Sequence, residues 1–558
     1  MNKRIPLGIE DFKELRENYY FIDKTRFIQE IIDDHSKVTL ITRPRRFGKT
    51  LTMSMLDYFF SIDKKEVSTN LFTGLSIDQA GVSYMQEQGK YPVIFLSLKN
   101  IQDSNWSGMY QTFQLVLQQV FLQFEYIVKS DILRDVEKSF VERIIHRDAS
   151  VEEYQVSLQY LGQYLYRYHG KRSIILIDEY DAPLQNAYSQ GFYDQAILFF
   201  KGWFNATLKG NEALHFAVLT GVLRIAKESI FSGLNNLMVC SVLTQSYSNS
   251  FGFTAEEIRR MLFDLGISPH KFQEIQQWYD GYQFGNDEIY NPWSVIYYLR
   301  NQCIPMPYWV NTSGNGILQE LLVKADDLRV RELQGLLYGK HVTTTINDSV
   351  IYAKIWQDDS ALYTMLLTTG YLTVASASTT TYNRYALRIP NEEIRQVYST
   401  EILNTLVANM SRNSYDALFD SLFSGDGEDF EYRLQRILTR FVSAYDTASK
   451  ESFYHGFMLG MTALFLDKDY VVESNRESGY GRFDVAIFPR DTNKTGVILE
   501  FKASSSVDCL EQEAAEAVRQ IQARDYVAEF EKRQIAHLWT YGIAFCGKQV
   551  KLECCQIM

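Results

Sequence analysis

The sequence predicts an α/β fold in two separate parts, joined by a helical, aromatic middle. Three observations carry this. Short apolar runs alternate with segments of helical spacing as far as residue 248. From residue 249 the pattern turns helical and rich in Tyr and Trp, with Gly and Asn-Pro turn signals. After residue 451 a helical segment is followed by three strand-like runs, a helix and a further strand. In order, KVTLI (37–41), YPVIFLSL (91–98), SIILID (173–178), ALHFAVLTGV (213–222) and LMVCSVL (237–243) read as buried strands of a mostly parallel sheet. Residues 106–127 and 151–168 read as its helices. WYDGYQFG (278–285) and YNPWSVIYYL (290–299) read as turns and a helix between helices. Residues 361–374 read as a helix passing through Gly370 into a strand, and 382–391 as the returning strand. A helical stretch, 392–449, leads to the last part, with strands DYVVES, RFDVAIFP and GVILEFKA, a helix at 511–531 and a strand at 537–545.

The chain has 558 residues, too many for one ordinary domain. Its 46% hydrophobic content, with 37 Tyr and 35 Phe, supports sizeable cores and argues against disorder. A net charge of -12 excludes a general nucleic-acid coat, so such contact must come from local patches. The six cysteines form no CxxC pair, which fits a reducing compartment and offers no zinc site. MNKRIPLGIEDFK lacks the apolar stretch of a signal peptide, and no run is long enough to span a bilayer. A cytoplasmic protein without membrane contact is expected.

Gly48-Lys49-Thr50 stands between an apolar strand and a helix. In that context the backbone N–H groups of the turn point at phosphate, the lysine reaches the terminal phosphates, and the hydroxyl holds magnesium. The tripeptide alone is a weak signal. It is strengthened by a later apolar strand ending in Asp178-Glu179. In such folds the first acid binds magnesium and the second activates the attacking water. The competing reading of IILIDEYD is a strand with a solvated end. Thr220 and Arg224 follow the fourth strand, where a polar sensor and a charged contact to a terminal phosphate would stand. Arg224 reads equally as the surface start of a helix. Asp181 serves the same site or caps the turn before Pro183. Arg43, where the usual loop opens with glycine, narrows the backbone there. It and Arg46 either add charge to phosphate or pair with an acid.

In the last part, Asp484 begins one strand and Glu500-Phe501-Lys502 ends the next. Period two puts Glu500 and Lys502 on one face and Phe501 on the other. Two neighbouring carboxylates hold a divalent cation through oxygen, and the lysine orients water or offsets charge at phosphorus. That is the arrangement of a metal-dependent phosphodiesterase. An isolated D…ExK is weak evidence, since salt bridges at strand ends are common. Glu451 and His455 on the preceding helix compete as ligands, with packing or a hydrogen bond the plainer role for His455. Acidic residues outnumber basic ones over 451–558, which runs against duplex binding there. The rings of WYDGYQFG and YNPWSV suggest base stacking, but a packed core explains them better.

RPRRFGKT, LIDEYDAPL, LTGVLRIAKESIFSGLNNL, WYDGYQFG…YNPWSV and the early YYFIDKT together resemble the bacterial AAA-ATPase-like family, often fused to a PD-(D/E)XK nuclease domain. The order of the last segment resembles the PD-(D/E)XK core, with Glu477 and Arg482 in ESGYGRFD and Gln520 and Tyr526 on the following helix matching its pattern. The resemblance makes Arg43 part of the family's own loop. It implies a P-loop ATPase domain (1–248), a helical lid (249–345), a winged-helix-like unit (346–395), a helical connector (396–450) and a restriction-endonuclease-like α/β domain (451–558). It implies nucleotide contacts from Arg46, Phe47, Gly48, Lys49, Thr50, Asp178 and Arg224, with magnesium at Thr50 and Asp178 and Glu179 catalytic. It implies Asp484, Glu500 and Lys502 as nuclease residues, with Asp484, Glu500 and Glu477 holding Mg²⁺ or Mn²⁺. The expected cofactors are ATP and Mg²⁺. The expected partners are nucleic acid, DNA ahead of RNA, and a further copy of the chain or a protein activator. An ATP-regulated nuclease acting on foreign or mobile DNA follows by analogy. The alternative is a nucleotide-dependent switch or scaffold whose nuclease-like domain binds without cutting.

Overall fold

The computed structural model describes residues 4–557 except 225–229, 232–236, 310–331, 333–334, 337–338, 348–358, 376–382, 399–411, 442–450, 463–469, 475–476, 479–480 and 524–525. Its contacts form two compact units. One comprises Met1–Ser313 and His341–Glu393, the other Gly314–Lys340 and Ile394–Met558. No described helix is long and apolar enough to cross a membrane.

The first unit is built on a parallel sheet of β1 (Val38–Thr42), β2 (Val93–Ser97), β3 (Ser173–Asp178), β4 (Leu214–Gly221) and β5 (Leu237–Cys240), in the order β2-β3-β4-β1-β5. Every residue of β1 and β3 is buried, as expected of strands covered on both faces. Helices Lys49–Phe60, Trp106–Gln123, Val151–His169 and Tyr193–Leu208 belong to this layer. The third starts at a capping box of Ser150 with Glu153 and stops at left-handed Gly170. Because β4 lies between β1 and β3, its end can support the acid that ends β3.

Helices Ala255–Asp264, Lys271–Tyr279 and Pro292–Arg300 share a core of Ile258, Met261, Ile275, Tyr279, Tyr290, Val295 and Tyr298. Asn291 caps the last of these through the Trp293 N–H at 3.0 Å, and Pro292 opens it. Between the second and third helices, the expected turn is a small antiparallel hairpin of β6 (Tyr282–Phe284) and β7 (Asp287–Ile289), turning at Gly285-Asn286. Its rings are packed: Tyr282 is 2% exposed and Phe284 1%.

Next in the chain comes a three-stranded antiparallel sheet, in the order β8-β10-β9, made of β8 (Val342–Thr345), β9 (Thr373–Val374) and β10 (Arg384–Arg388). Helix Asp359–Thr369 ends before Gly370, whose φ of +91° demands glycine. β8 lies ahead of the expected boundary at 346. The sheet docks on the hairpin: Asn391 Nδ2 donates to Asp280 O at 2.7 Å and Arg388 Nη2 to Gly281 O at 3.4 Å.

In the second unit, β11 (Tyr470–Ser474), β14 (Val485–Pro489), β15 (Thr495–Ala503), β16 (His537–Cys546) and β17 (Gln549–Gln556) form one mixed sheet in that order, with only β15–β16 parallel. β12 (Glu477–Ser478) and β13 (Gly481–Arg482) pair separately. Helices Arg412–Ser424, Gly427–Phe441 and Glu451–Thr462 place Leu418, Leu434 and Met458 in one core with Val485, Phe501 and Tyr541. The stretch expected as a connector thus shares the nuclease-like core. Helix Leu510–Ala523 lies so close to β16 that a Cβ on Gly542 would fall 2.2 Å from Ala514 O.

Candidate functional site

A cavity of about 470 Å³ opens in the first unit, a size that suits a small-molecule ligand. Its floor is the loop 45–50, where helix Lys49–Phe60 begins. Gly48 has φ +87° with nothing within 4 Å of a notional Cβ, so glycine is needed there for conformation and not for space. Arg46 (φ 72°) and Glu179 (φ 53°) hold the same left-handed region without being glycine. Such residues cost on the order of 1–3 kcal/mol each and cluster at functional sites; both of these line the cavity.

Lys49 Nζ donates to Arg43 O and Pro44 O at 3.0 Å each and lies 3.7 Å from Glu179 Oε1. Thr50 Oγ1 donates to Asp178 Oδ2 at 2.8 Å, and Thr220 Oγ1 to Asp178 Oδ1 at 2.5 Å. Burial, with Glu179 alongside, raises the Asp178 carboxyl. Asp181 does not cap the helix it precedes. Its Oδ2 accepts from Val222 N at 3.1 Å and Leu223 N at 2.8 Å, fixing the exit of β4. Burial and Glu179 push it up to about 6. Arg224 is half-buried beyond β4 and is not among the cavity's lining residues.

The arginines divide by role. Arg43 is fully buried and donates to the carbonyls of Thr42, Cys240 and Tyr247 at 3.0, 3.0 and 3.2 Å. Its guanidinium lies over Phe284 at 5.0 Å and Phe251 at 5.7 Å. It is a structural pin and is not among the cavity's lining residues. Arg45 Nη2 meets Gln185 Oε1 at 3.1 Å, and Arg46 lies 4.0 Å over Trp293. The Phe47 ring is 1% exposed and packs on Tyr282 and Phe284 at 5.0 and 5.2 Å, so it offers the cavity mainly its backbone. These residues fit a magnesium nucleotide. Lys49 and the loop N–H groups would hold phosphate, and Thr50 with Asp178 would hold the ion.

In the second unit Val485 pairs with Leu499, which sets Asp484 across from Glu500. Phe501 N donates to Asp484 Oδ2 at 2.8 Å. Gln520, on helix Leu510–Ala523, donates through Nε2 to Glu500 Oε1 and accepts from Lys502 Nζ at 2.8 Å. Glu500 and Lys502 therefore share the face this helix covers. Phe501 faces the opposite core, its ring 5.7 Å from that of His455. His455 Nδ1 lies 3.5 Å from Asp484 Oδ1, beside the expected acid. Tyr526 is fully buried in the core with Phe483. Glu477 sits in β12 paired with Arg482, and its side chain lies outside the described residues. Among the described residues no three or more His, Cys, Asp or Glu side chains converge as a ready metal cluster. Asp484 and Glu500 would supply hard oxygen donors of the kind that suit a divalent cation such as Mg²⁺ or Mn²⁺.

Residues 6–231 match a family described as "Predicted AAA-ATPase", and residues 449–554 match the PD-(D/E)XK nuclease superfamily. The chain is an AAA-ATPase-like domain fused to a PD-(D/E)XK nuclease-superfamily domain. It is also 24% identical over 553 residues to an uncharacterized protein in the vnfD 5′ region of Azotobacter chroococcum mcd 1, covering 95% of this chain and 94% of that one.

Sequence reasoning missed two features of the AAA-ATPase-like unit. One is the cavity's second wall, from residues 6–12 and 20–22, with Lys99 and Gln102 nearby. YYFIDKT was visible, but nothing local says where it docks. Lys24 anchors it, meeting Glu257 at 2.7 Å. The other is Glu393, which is fully buried. It accepts from Ser294 Oγ at 2.9 and 2.8 Å and from Trp309 N at 2.8 Å. Burial pushes its carboxyl up to about 8. A folded-state pKa above the unfolded value gives stability that is complete below about 4.5 and is lost as pH rises through about 8. The full shift corresponds to at most about 5 kcal/mol. Glu393→Gln is expected to remove this pH dependence, raising the denaturant midpoint relative to wild type at pH 9 but not at pH 5. Parallel slopes for the two proteins would refute the assignment.

Proposed function

We propose that this chain binds and hydrolyses ATP, and that its nucleotide site regulates a Mg²⁺-dependent phosphodiesterase in the second unit. The substrate is nucleic acid, DNA ahead of RNA, and the role is defence against foreign or mobile DNA. The observation that carries the nuclease reading is Gln520, which holds Glu500 and Lys502 on one face beside Asp484. Bound to Asp484 and Glu500, a divalent cation would supply a Lewis acid and a more acidic water. Lys502, held at 2.8 Å by Gln520, orients that water or offsets charge on the phosphate. At the nucleotide site Lys49 exchanges two backbone carbonyls for phosphate oxygens. Glu179, freed from Lys49, orients the attacking water.

A second reading, a nucleotide-dependent switch with a non-cleaving binding domain, is favoured by the acidic excess over 451–558. Supercoiled plasmid, linear duplex, single-stranded DNA and RNA, each with Mg²⁺ or Mn²⁺ and with or without ATP, decide between them. The nuclease reading expects metal-dependent cutting that Asp484→Ala abolishes. ATP hydrolysis without cutting of any substrate would put the switch reading first.

A further inference from the structure

Arg46 has φ 72° without being glycine, in the middle of the phosphate loop. A left-handed residue of this kind persists where its surroundings over-determine it. Here the loop residues around it are each held by a distant segment. Pro44, whose ring fixes its own φ, sits against the turn at Gly370. A Cβ on Gly370 would fall 3.0 Å from Pro44 Cβ and 3.5 Å from Tyr282 Cε1. Trp309 Nε1 donates to Arg45 O at 3.5 Å, and its ring meets that of Tyr371, the residue after Gly370, at 5.1 Å. Gly252 N donates to Phe47 O at 3.3 Å. The Phe47 ring packs edge-on to Tyr282 at 5.0 Å and on Phe284 at 5.2 Å. The hairpin that carries those two rings is tied in turn to the three-stranded sheet. Gln283 N donates to Thr373 Oγ1 of β9 at 2.8 Å. Tyr282, Trp309 and Gly370 are not among the cavity's lining residues.

We propose that the β6–β7 hairpin, Trp309 and the Gly370 turn form a clasp behind the phosphate loop, holding it in the conformation that receives nucleotide phosphate, with Tyr282 and Gly370 as positioning residues. An ordinary loop of this class takes its shape from glycines. This one has proline, two arginines and phenylalanine at 44–47, and packing imposes the shape instead. The clasp rests on the nucleotide reading of the cavity, and it extends control of nucleotide affinity to the hairpin and the three-stranded sheet. By linkage, whatever shifts that sheet shifts nucleotide affinity, and nucleotide binding acts back on the sheet.

The test is calorimetric titration of ADP into the full chain, with thermal unfolding of each variant in the absence of nucleotide. Tyr282→Leu removes the ring that meets Phe47. Gly370→Ala sets a methyl group against Pro44 in a backbone of φ +91°. Each is expected to weaken ADP binding about ten-fold. Tyr282→Phe keeps the ring and is expected to stay within about two-fold of wild type. Ile144→Ala truncates the core at helix Asp135–His146, outside the cavity's lining residues. It is expected to lower the unfolding temperature and leave ADP affinity unchanged. Wild-type affinity in Tyr282→Leu or Gly370→Ala, whichever folds, overturns the clasp. An equal loss of affinity in Ile144→Ala also overturns it, because the effect is then one of general stability. No ADP binding to wild type overturns the nucleotide reading itself, and the clasp with it.

Discussion

Lys49→Ala is expected to lower kcat/KM for ATP by at least about a hundred-fold and to remove measurable nucleotide binding. The reason lies in where the ammonium rests. Lys49 is 4% exposed and its Nζ is held by Arg43 O and Pro44 O, at the start of the loop helix. Neither Arg43 nor Arg45 takes its place. Arg43 is committed to carbonyls on three segments, and Arg45 to Gln185. Asp178→Asn separates binding from chemistry. It keeps Thr50 and Thr220 within hydrogen-bond reach but removes the charge that would hold magnesium, so nucleotide still binds while hydrolysis falls. Steady-state hydrolysis and calorimetric titration of the two variants check both statements.

The second large effect is on stability. Arg43→Gly restores the residue that usually opens such a loop, yet it is expected to destabilise the first unit by about 3–5 kcal/mol. The guanidinium ties Thr42 at the end of β1 to Cys240 at the end of β5 and to Tyr247, between the Phe251 and Phe284 rings. Removing it orphans buried carbonyls and opens a void among aromatics. Lysine does not substitute, because one ammonium cannot reproduce the planar fork that serves carbonyls on three segments while stacking on rings. Denaturant unfolding of Arg43→Gly and Arg43→Lys measures this. An unchanged midpoint in either would show that the pin contributes little.

Much of this architecture is written locally. An apolar run ahead of Gly48-Lys49-Thr50, and another ending in Asp178, are strand signals whose chemistry sits at the strand's end. Period two alone put Glu500 and Lys502 together, and Gln520 contacts both. Local pattern failed where partners are distant or elements short. Three-residue strands such as β6 and β7 cannot display alternation, so the hairpin read as a turn; Gly285-Asn286 was its available signal. The amphipathic pattern of Gly427–Phe441 marks a buried face without saying what it packs on, so a helix of the nuclease-like core read as a connector. Glu393 is 99 residues from Ser294, and nothing around it predicts a buried, proton-holding carboxyl. Arg43 read as a charge for phosphate or a partner for an acid, and its true acceptors are backbone carbonyls. The strand order β4-β1-β5 brings the carbonyls it serves together.

The nucleotide site is proposed to govern the phosphodiesterase. The most direct measurement is the Mg²⁺-dependent cleavage rate of wild type and Lys49→Ala, each with no nucleotide, with ADP and with a non-hydrolysable ATP analogue. Asp484→Ala serves as the blank. The claim predicts a wild-type rate that changes by about ten-fold or more between nucleotide states, and a Lys49→Ala rate fixed at the nucleotide-free value. Equal rates in every nucleotide state, for a wild type that both cuts and binds ATP, would contradict it.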